Sequence, residues 1–440
     1  MFTTLKNAFK IKEIRNKILF TLAMLVVIRF GSQLPVPGTN REFFATWFAS
    51  QAGDVFNLFN AFTGGSFSNF SVLALSITPY ITSSIIMQLL TIAIPKLEEM
   101  QRDGEEGRKK IASYTRYVTV ALALVQSTAM AIGFGNQGLL QDYNALNVIT
   151  VIAALTAGSA FLMWIGERIT EKGVGNGISV ILVINILSTI PADFMNLTQQ
   201  FIIGKAPATA ILAAVVILAI ILGMIVFIVL LNSGTRNIPV QYAQKVQGRR
   251  SVGGQSSKIP LKVNTSGVIP VIFASSLMQF PIIICSFFGV TGTGFWGEVL
   301  KTLSSSNWCK FNSLENAKYS IGLVIYMVLV VAFAYFYTSV TFNPMMIADN
   351  LKRQGGFIPG IRPGRPTTDY LNKVLNYIVF IGAVGLLIVS VVPFICSGVF
   401  NATVSFGGTS LIIVVSVVLE TIKQIESQML VRNYKGFLND

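Results

Sequence analysis

TAILAAVVILAIILGMIVFIVLL (209–231) runs directly into NSGTRNIPVQYAQKVQGRRSVGGQSSKIPLKVNT (232–265). The first stretch is uncharged and long enough to cross a hydrocarbon core of ~30 Å, which takes ~20 apolar residues. The second carries Arg236, Lys245, Arg249, Arg250, Lys258 and Lys262 and no Asp or Glu, and another apolar run opens at 267. An apolar run, a basic connector and a second apolar run together describe a chain that crosses a membrane twice and keeps its cations on one side.

The same alternation extends in both directions. The 440 residues are 52% hydrophobic and 12% charged, whereas soluble domains average about 25% charged. Ten apolar runs stand out, at 18–34, 72–94, 116–135, 146–165, 178–190, 209–231, 267–289, 319–342, 372–395 and 408–424. The fifth is short and the tenth runs into Glu420. The runs are continuous rather than alternating, so helices rather than a barrel would satisfy the backbone in lipid. The expectation is an all-α polytopic membrane protein with ten transmembrane helices. Ile18 to Phe30 follows a basic stretch as a signal peptide would, but no small-x-small cleavage site follows and Arg29 lies within the run, so it reads as a retained span.

Cations set the orientation. Of 33 Lys and Arg, 26 fall before the first run, in 96–110, 166–177, 232–265 and 343–373, or from Lys423 onward. Arg41, Lys205, Lys301, Lys310 and Lys318 lie on the other side, and Arg29 and Arg116 lie within or at the start of runs. Both termini are therefore expected in the cytoplasm. The net charge of +14 is concentrated on one face, where a cytoplasmic partner could meet it.

Five runs precede Lys205 and five follow, giving halves 1–204 and 205–428 and a tail 429–440. An odd number of spans per half inverts the second relative to the first, as in many transport proteins. No residue-level repeat accompanies this inversion. DVFNLFNAFTGGSFSNFS (54–71) is too polar and short to span. Phe56, Phe59 and Phe62 recur at threes, and Gly64 and Gly65 would allow a sharp turn. Two readings stand: an interfacial amphipathic helix, or a short helix tucked back into a protein-lined cavity.

Several chemistries are excluded. No phosphate-cradling G-x4-G-K-[ST] loop and no zinc-protease helix motif is present. Histidine is absent, and Cys285, Cys309 and Cys396 fit neither a disulfide framework nor a metal site, though a Cys309–Cys396 bridge stays open. The runs as delimited contain no interior Asp or Glu, which argues against proton or sodium coupling. No cofactor or metal is expected. Arg29 either pairs with a carbonyl or snorkels to the interface, or else it is a fixed charge near a pore or packs against a neighbouring half.

ALSITPYITSSIIMQLL (74–90), WIGERITEKGVGNGISVIL (164–182), QGRR (247–250), IPLKVNTSGVIPVIFASS (259–276), FNPMMIADNLKRQGGFIPGIRPGRPT (342–367) and FGGTSL (406–411) resemble the SecY family, the central subunit of the bacterial Sec protein-conducting channel. The resemblance runs from about Phe30 to Ser427; the first ten residues and 291–318 carry no recognisable pattern. It implies two pseudo-symmetric halves around a central pore closed by an aliphatic ring: Ile77, Ile81, Ile178, Leu182, Ile272 and Ile413, with Leu182 standing where isoleucine is common. Bulky aliphatics resist wetting and offer ions no site. The resemblance also makes 54–71, with Phe56, Phe59, Phe62, Gly64 and Gly65, a plug. It places Gln88 and Asn264 near a lateral gate between the second and seventh runs. It makes Arg249 and Arg250, together with Arg362 in the connector 343–373, docking positions for the ribosome (its RNA and proteins at the exit tunnel) and the SecA motor ATPase. The expected activity is translocation of unfolded secretory polypeptides and lateral release of apolar segments into lipid in the bacterial cell membrane, without enzymatic chemistry. The expected partners are SecE and SecG, signal peptides and nascent chains, and membrane lipids. The rivals are a secondary solute transporter, which needs a polar midplane site and coupling acids, and an insertase or intramembrane enzyme, which needs a hydrophilic groove with catalytic residues.

Overall fold

A computed structural model of the chain describes residues 8–47, 60, 62–140, 142–203, 207–242, 245–247, 250–252, 256–287, 295–309, 318–400 and 408–436. It is mostly helical. In order come α1 (Lys12–Gly31), α2 (Arg41–Trp47), α3 (Thr78–Ala93), α4 (Pro95–Arg102), α5 (Glu105–Phe134), α6 (Ala145–Lys172), α7 (Gly177–Phe201) and α8 (Pro207–Ser233). After a region of short strands follow α9 (Ile269–Phe287), α10 (Phe295–Leu303), α11 (Ile321–Thr341), α12 (Pro344–Arg353), α13 (Arg365–Phe400) and α14 (Gly408–Gly436). Every apolar run read from the sequence overlaps one of these helices.

Among the described residues, six helices are long and apolar enough to cross a membrane, or seven if the bent pair Thr78–Ala93 and Pro95–Gln101 is one span. That pair bends by 106°, and Pro95, which cannot donate to the preceding turn, marks the break. Large apolar side chains stay exposed along α8, including Leu212, Val215, Leu218 and Leu222. In water this would be a liability; in hydrocarbon it is the expected outer surface.

The fifth run was read as ending at 190, before Pro191, but α7 continues through Pro191 to Phe201. The longer helix takes in Asp193, a buried acid beyond the end of the run as delimited. Asp193 lies in the last turns of α7 and has an interaction partner.

The all-α expectation also needs correction. The basic connector after α8 folds into β1 (Thr235–Tyr242), β2 (Lys245–Gln247), β3 (Arg250–Val252) and β4 (Ser256–Lys262), and β5 (Gly356–Phe357) follows α12. One sheet has the order β4-β1-β5, and β2 pairs with β3. β1 is antiparallel to β4 from Thr235↔Lys262 to Gln241↔Ser256, and Tyr242 opposes Gly356 on β5. Alternate residues Ile238 and Val240 are buried with Leu261, Leu351 and Ile358 against Leu371 and Val374 of α13. The two basic connectors thus form one small module with its own core.

Packing follows the two halves. Phe44, Phe67, Phe70 and Phe134 make edge and tilted ring contacts, with Phe44 within 4.9 to 5.4 Å of the other three centroids. Trp308, Tyr326 and Phe394 do the same in the second half, at 5.0 to 5.7 Å. Between these cores, α14 packs on α7, α8 and α13, and α9 packs on α5 and α11. The start of α1 meets the end of α14, where Lys17 Nζ donates to Gln428 Oε1 at 3.5 Å.

Candidate functional site

The residues that matter lie where four helices begin or turn toward one another. α3 starts after a run of tight turns, with Pro79 in its first turn, a position that suits a residue lacking N–H. Ile77 caps the helix, and the Ile81 N–H donates to the Ile77 carbonyl at 3.0 Å, so the two side chains sit one turn apart on one side. α7 starts at Asn176, whose side-chain oxygen accepts from Ile178 N at 3.1 Å and Ser179 N at 3.5 Å, a strong N-cap arrangement. Gly166 on α6 leaves room for Ile178: a Cβ there would come within 2.5 Å of the Ile178 terminal methyl. Ile272 lies in the first turn of α9, its N–H donating to Val268 O at 3.2 Å. Ile413 is buried early in α14.

These side chains converge. Ile77, Leu182 and Ile413 are buried in one hydrophobic cluster, and Ile81, Ile178 and Ile272 are packed against it half-buried. The sequence expected these six residues together, and the structure brings them together. Phe62, just N-terminal to the double glycine, packs on the same cluster.

Above the cluster lies a cavity of about 520 Å³ lined by Ile81, Ile178, Leu182 and Ile272 at its apolar end. Its other lining includes Gln88, Arg116, Glu167 and Glu171. Glu167 and Glu171 lie in the last two turns of α6. Arg116 Nε donates to Glu167 Oε1 at 2.6 Å, tying α5 to α6. The pair is partly exposed, so it contributes at most about 1 kcal/mol. The cavity wall thus combines charged side chains with aliphatic ones, and the aliphatic side chains (the floor) have no group to replace an ion's hydration shell.

The segment on the far side of the floor is held differently. Asn185 Nδ2 donates to Phe62 O and to Ser76 Oγ, both at 3.1 Å. Arg29 Nη1 donates to Gly64 O at 3.2 Å and Ser188 Oγ to the same oxygen at 3.3 Å. Of the two sequence readings of Arg29, the structure shows pairing with a carbonyl. Gly64 and Gly65 have φ of 65° and 81°, in the region that favours glycine. Phe56 and Phe59 lie outside the described residues. Asn185 and Ser188 were not singled out from the sequence; two polar residues inside an apolar run, one turn apart, were the available signal.

The pair Gln88 and Asn264 is not joined by a hydrogen bond. Gln88 lines the cavity, whereas Asn264 Nδ2 donates to Asn232 Oδ1 at 2.8 Å, and Asn232 Nδ2 donates to Ser416 Oγ at 2.7 Å. Asn264 thus ties the start of α9 to α8 and α14. Helices α3 and α5 share a hydroxyl contact of 2.5 Å between Ser83 and Thr119.

On the basic face, Arg362 is exposed in a turn between β5 and α13. Gly360 and Gly364 have φ of 82° and 103°, and Thr367 Oγ1 donates to the Arg362 carbonyl at 2.9 Å, fixing the turn. Arg250 opens β3, paired with Gln247, and Arg249 lies outside the described residues. All three cysteines are free. Among the described residues no cluster of acidic or Cys side chains could hold a metal.

The SecY family profile matches residues 71–422. The chain belongs to the SecY family. The protein translocase subunit SecY of Halalkalibacterium halodurans is 44% identical over 447 residues, covering 100% of both chains. That of Bacillus subtilis is 43% identical over 448 residues, again covering 100% of each. The SecY fold is seen as well in a solved structure of a protein conducting channel, at a TM-score of 0.63 and 19% identity over 94% of this chain and 92% of that one. A Sec61 channel from a canine ribosome–channel complex of the endoplasmic reticulum matches at a TM-score of 0.59 and 18% identity, with the same shares covered.

Proposed function

We propose that this chain is the channel subunit of a bacterial protein translocase: it passes unfolded secretory polypeptides across the membrane and releases apolar segments sideways into lipid. The observation that carries the reading is the convergence of six aliphatic side chains, from the start of α3 and from α7, α9 and α14, in one cluster, four of which line a cavity with charged residues on its wall. Such a floor excludes hydrated ions by dewetting yet can part around a chain of any sequence, because apolar contact is non-directional.

In this reading the apolar runs form ten spans in two inverted halves, 1–204 and 205–428, and the segment from 54 to 71 is a plug beneath the floor. Both termini and the basic connectors face the cytoplasm of a bacterial cell. Arg249, Arg250 and Arg362 dock a polyanionic ribosome or the SecA motor, which supplies the driving force. SecE and SecG are the small membrane partners. The chain performs no chemistry of its own. Gln88 lies on the cavity wall toward the lateral opening between α3 and α9, and Asn264 acts from the side, by fixing where α9 starts.

The test replaces Ile81 and Ile272 together with glycine and measures ion conductance of the purified channel in planar bilayers. Resting conductance rises if the ring is the seal; parent-level conductance would remove the ring from the account. Raising salt from low to physiological levels should weaken ribosome binding steeply, because phosphate contacts release counterions. A flat salt response would point to non-ionic docking.

A further inference from the structure

FWGEVLKTL (295–303) folds into α10, within the stretch 291–318 that carries no recognisable family pattern. At helical spacing Phe295, Val299 and Leu303 share one side with Trp296 and Leu300, and Glu298, Lys301 and Thr302 fall on the other. The helix is mounted firmly on the second half. Trp308 Nε1 donates to the Thr302 carbonyl at 2.8 Å and Asn307 Nδ2 to the Lys301 carbonyl at 3.2 Å. Trp308 is itself buried in the aromatic core with Tyr326 and Phe394. Gly322, in the first turn of α11, permits the close approach, since a Cβ there would collide with the Thr302 carbonyl oxygen. Tyr319, just before α11, donates its hydroxyl to the Glu298 carboxylate at 3.2 Å. The first turn of α10 is left bare. Phe295 is 78% and Trp296 59% exposed, with their rings edge to face at 6.1 Å. The start of α11, on which α10 packs, carries Ile321, Val324, Ile325 and Val328, all exposed and on one helix face.

We propose that α10 is a membrane-surface anchor: Phe295 and Trp296 dock in the headgroup–acyl boundary of the leaflet opposite the basic face. The inference rests on the channel reading above for which leaflet is met. α11 is long and apolar enough to span, so its exposed stripe is lipid-facing surface, and the aromatic pair continues that surface past the end of the span. Trp suits this level, because its ring is apolar while its indole N–H can stay hydrated. Glu298 and Lys301, both exposed, then lie on the side turned to water, the arrangement of a helix lying in the interface. A protein partner fits less well. Two aromatic side chains offer roughly 300–500 Å², short of the about 800 Å² per partner in a standard protein interface. Docked in this way, α10 fixes the depth of the adjoining ends of α9 and α11, both of which it touches.

The experiment uses the full chain with its membrane partners in bilayers. Fluorescence of the parent minus that of Trp296→Phe isolates Trp296 from Trp47, Trp164 and Trp308. Phospholipid brominated near the headgroup should quench this component at least about twofold more than phospholipid brominated near the acyl terminus, because an interfacial helix sits ~5–10 Å into the boundary. Aqueous iodide should quench it weakly. Quenching by iodide and by neither lipid would put the pair in water. Quenching by none of the three would put it under protein, a small subunit or a second copy of this chain. Stronger quenching by the deep bromines would put it inside the hydrocarbon. Each of these results overturns the anchor. The side of the membrane is read separately. Lys301→Cys, at an exposed position of α10, should react with an impermeant maleimide in right-side-out vesicles, above the background of the parent's free cysteines. Reaction in inside-out vesicles only, with the lipid quenching intact, would overturn the leaflet assignment and with it the orientation in the channel reading.

Discussion

The aliphatic floor and the segment beneath it are neighbours built on opposite physics. The floor is held by apolar contact among Ile77, Ile81, Ile178, Leu182, Ile272 and Ile413. The segment at Phe62–Gly64 packs Phe62 on that floor and is held in addition by directed donors at 3.1 to 3.3 Å. Non-directional contact tolerates substitution as long as volume and apolarity are kept. Directed bonds fail when a single donor is lost or moved. A barrier that must close around any sequence suits the first kind, and one that must release on a defined event suits the second.

The largest effect expected is from Leu182→Asp. A carboxylate at a site 6% exposed has no partner there, and burying it unpaired costs several kcal/mol or draws water in. Resting conductance should rise more than tenfold, read by single-channel recording; a tight channel would mean the floor is not a dewetted constriction. Next is Arg362→Glu, which should cut motor-driven export severely while leaving resting conductance unchanged, since the turn belongs to the basic module and touches neither barrier. Coupled changes in both readouts would erase the separation of docking from sealing. Asn185→Ala should be smaller. It removes two hydrogen bonds of about 1 kcal/mol each and should lower the thermal unfolding midpoint slightly with a few-fold rise in leak. The smallest is Leu182→Ile, a volume-conserving exchange expected to cost less than about 1.5 kcal/mol and to leave both conductance and export as they were. A leak from this change would show that the floor depends on side-chain shape after all.

Much of this contrast was legible in the sequence on one side and little on the other. The ring came from the resemblance, with i, i+4 spacing at Ile77/Ile81 and Ile178/Leu182 supporting it, and local helical geometry was enough to keep each pair on one side. The bonds of Arg29 to Gly64 and of Asn185 to Phe62 join residues far apart in sequence, and no local pattern announces them. The fifth apolar run stops at 190, whereas α7 continues through Pro191 to Phe201, because neighbouring helices in a membrane protein can satisfy the backbone groups a proline frees. The small sheet escaped notice because Ile238, Val240 and Ile259 alternate only briefly and Pro239 and Pro260 interrupt the run. Its third strand comes from a connector more than a hundred residues away. Asn264 is placed near the gate by resemblance, and its bond to Asn232, 32 residues away in sequence, is announced by no local pattern.

The central claim is that a polypeptide passes through the aliphatic floor. A photo-crosslinking residue placed at Ile272, and as control at Val215, whose side chain is 61% exposed on the outer face of α8, tests it with a secretory chain stalled on its ribosome. Adducts between the chain and position 272, with none at 215, are the result this account predicts. A chain that stays bound to the complex yet crosslinks at neither position would contradict it.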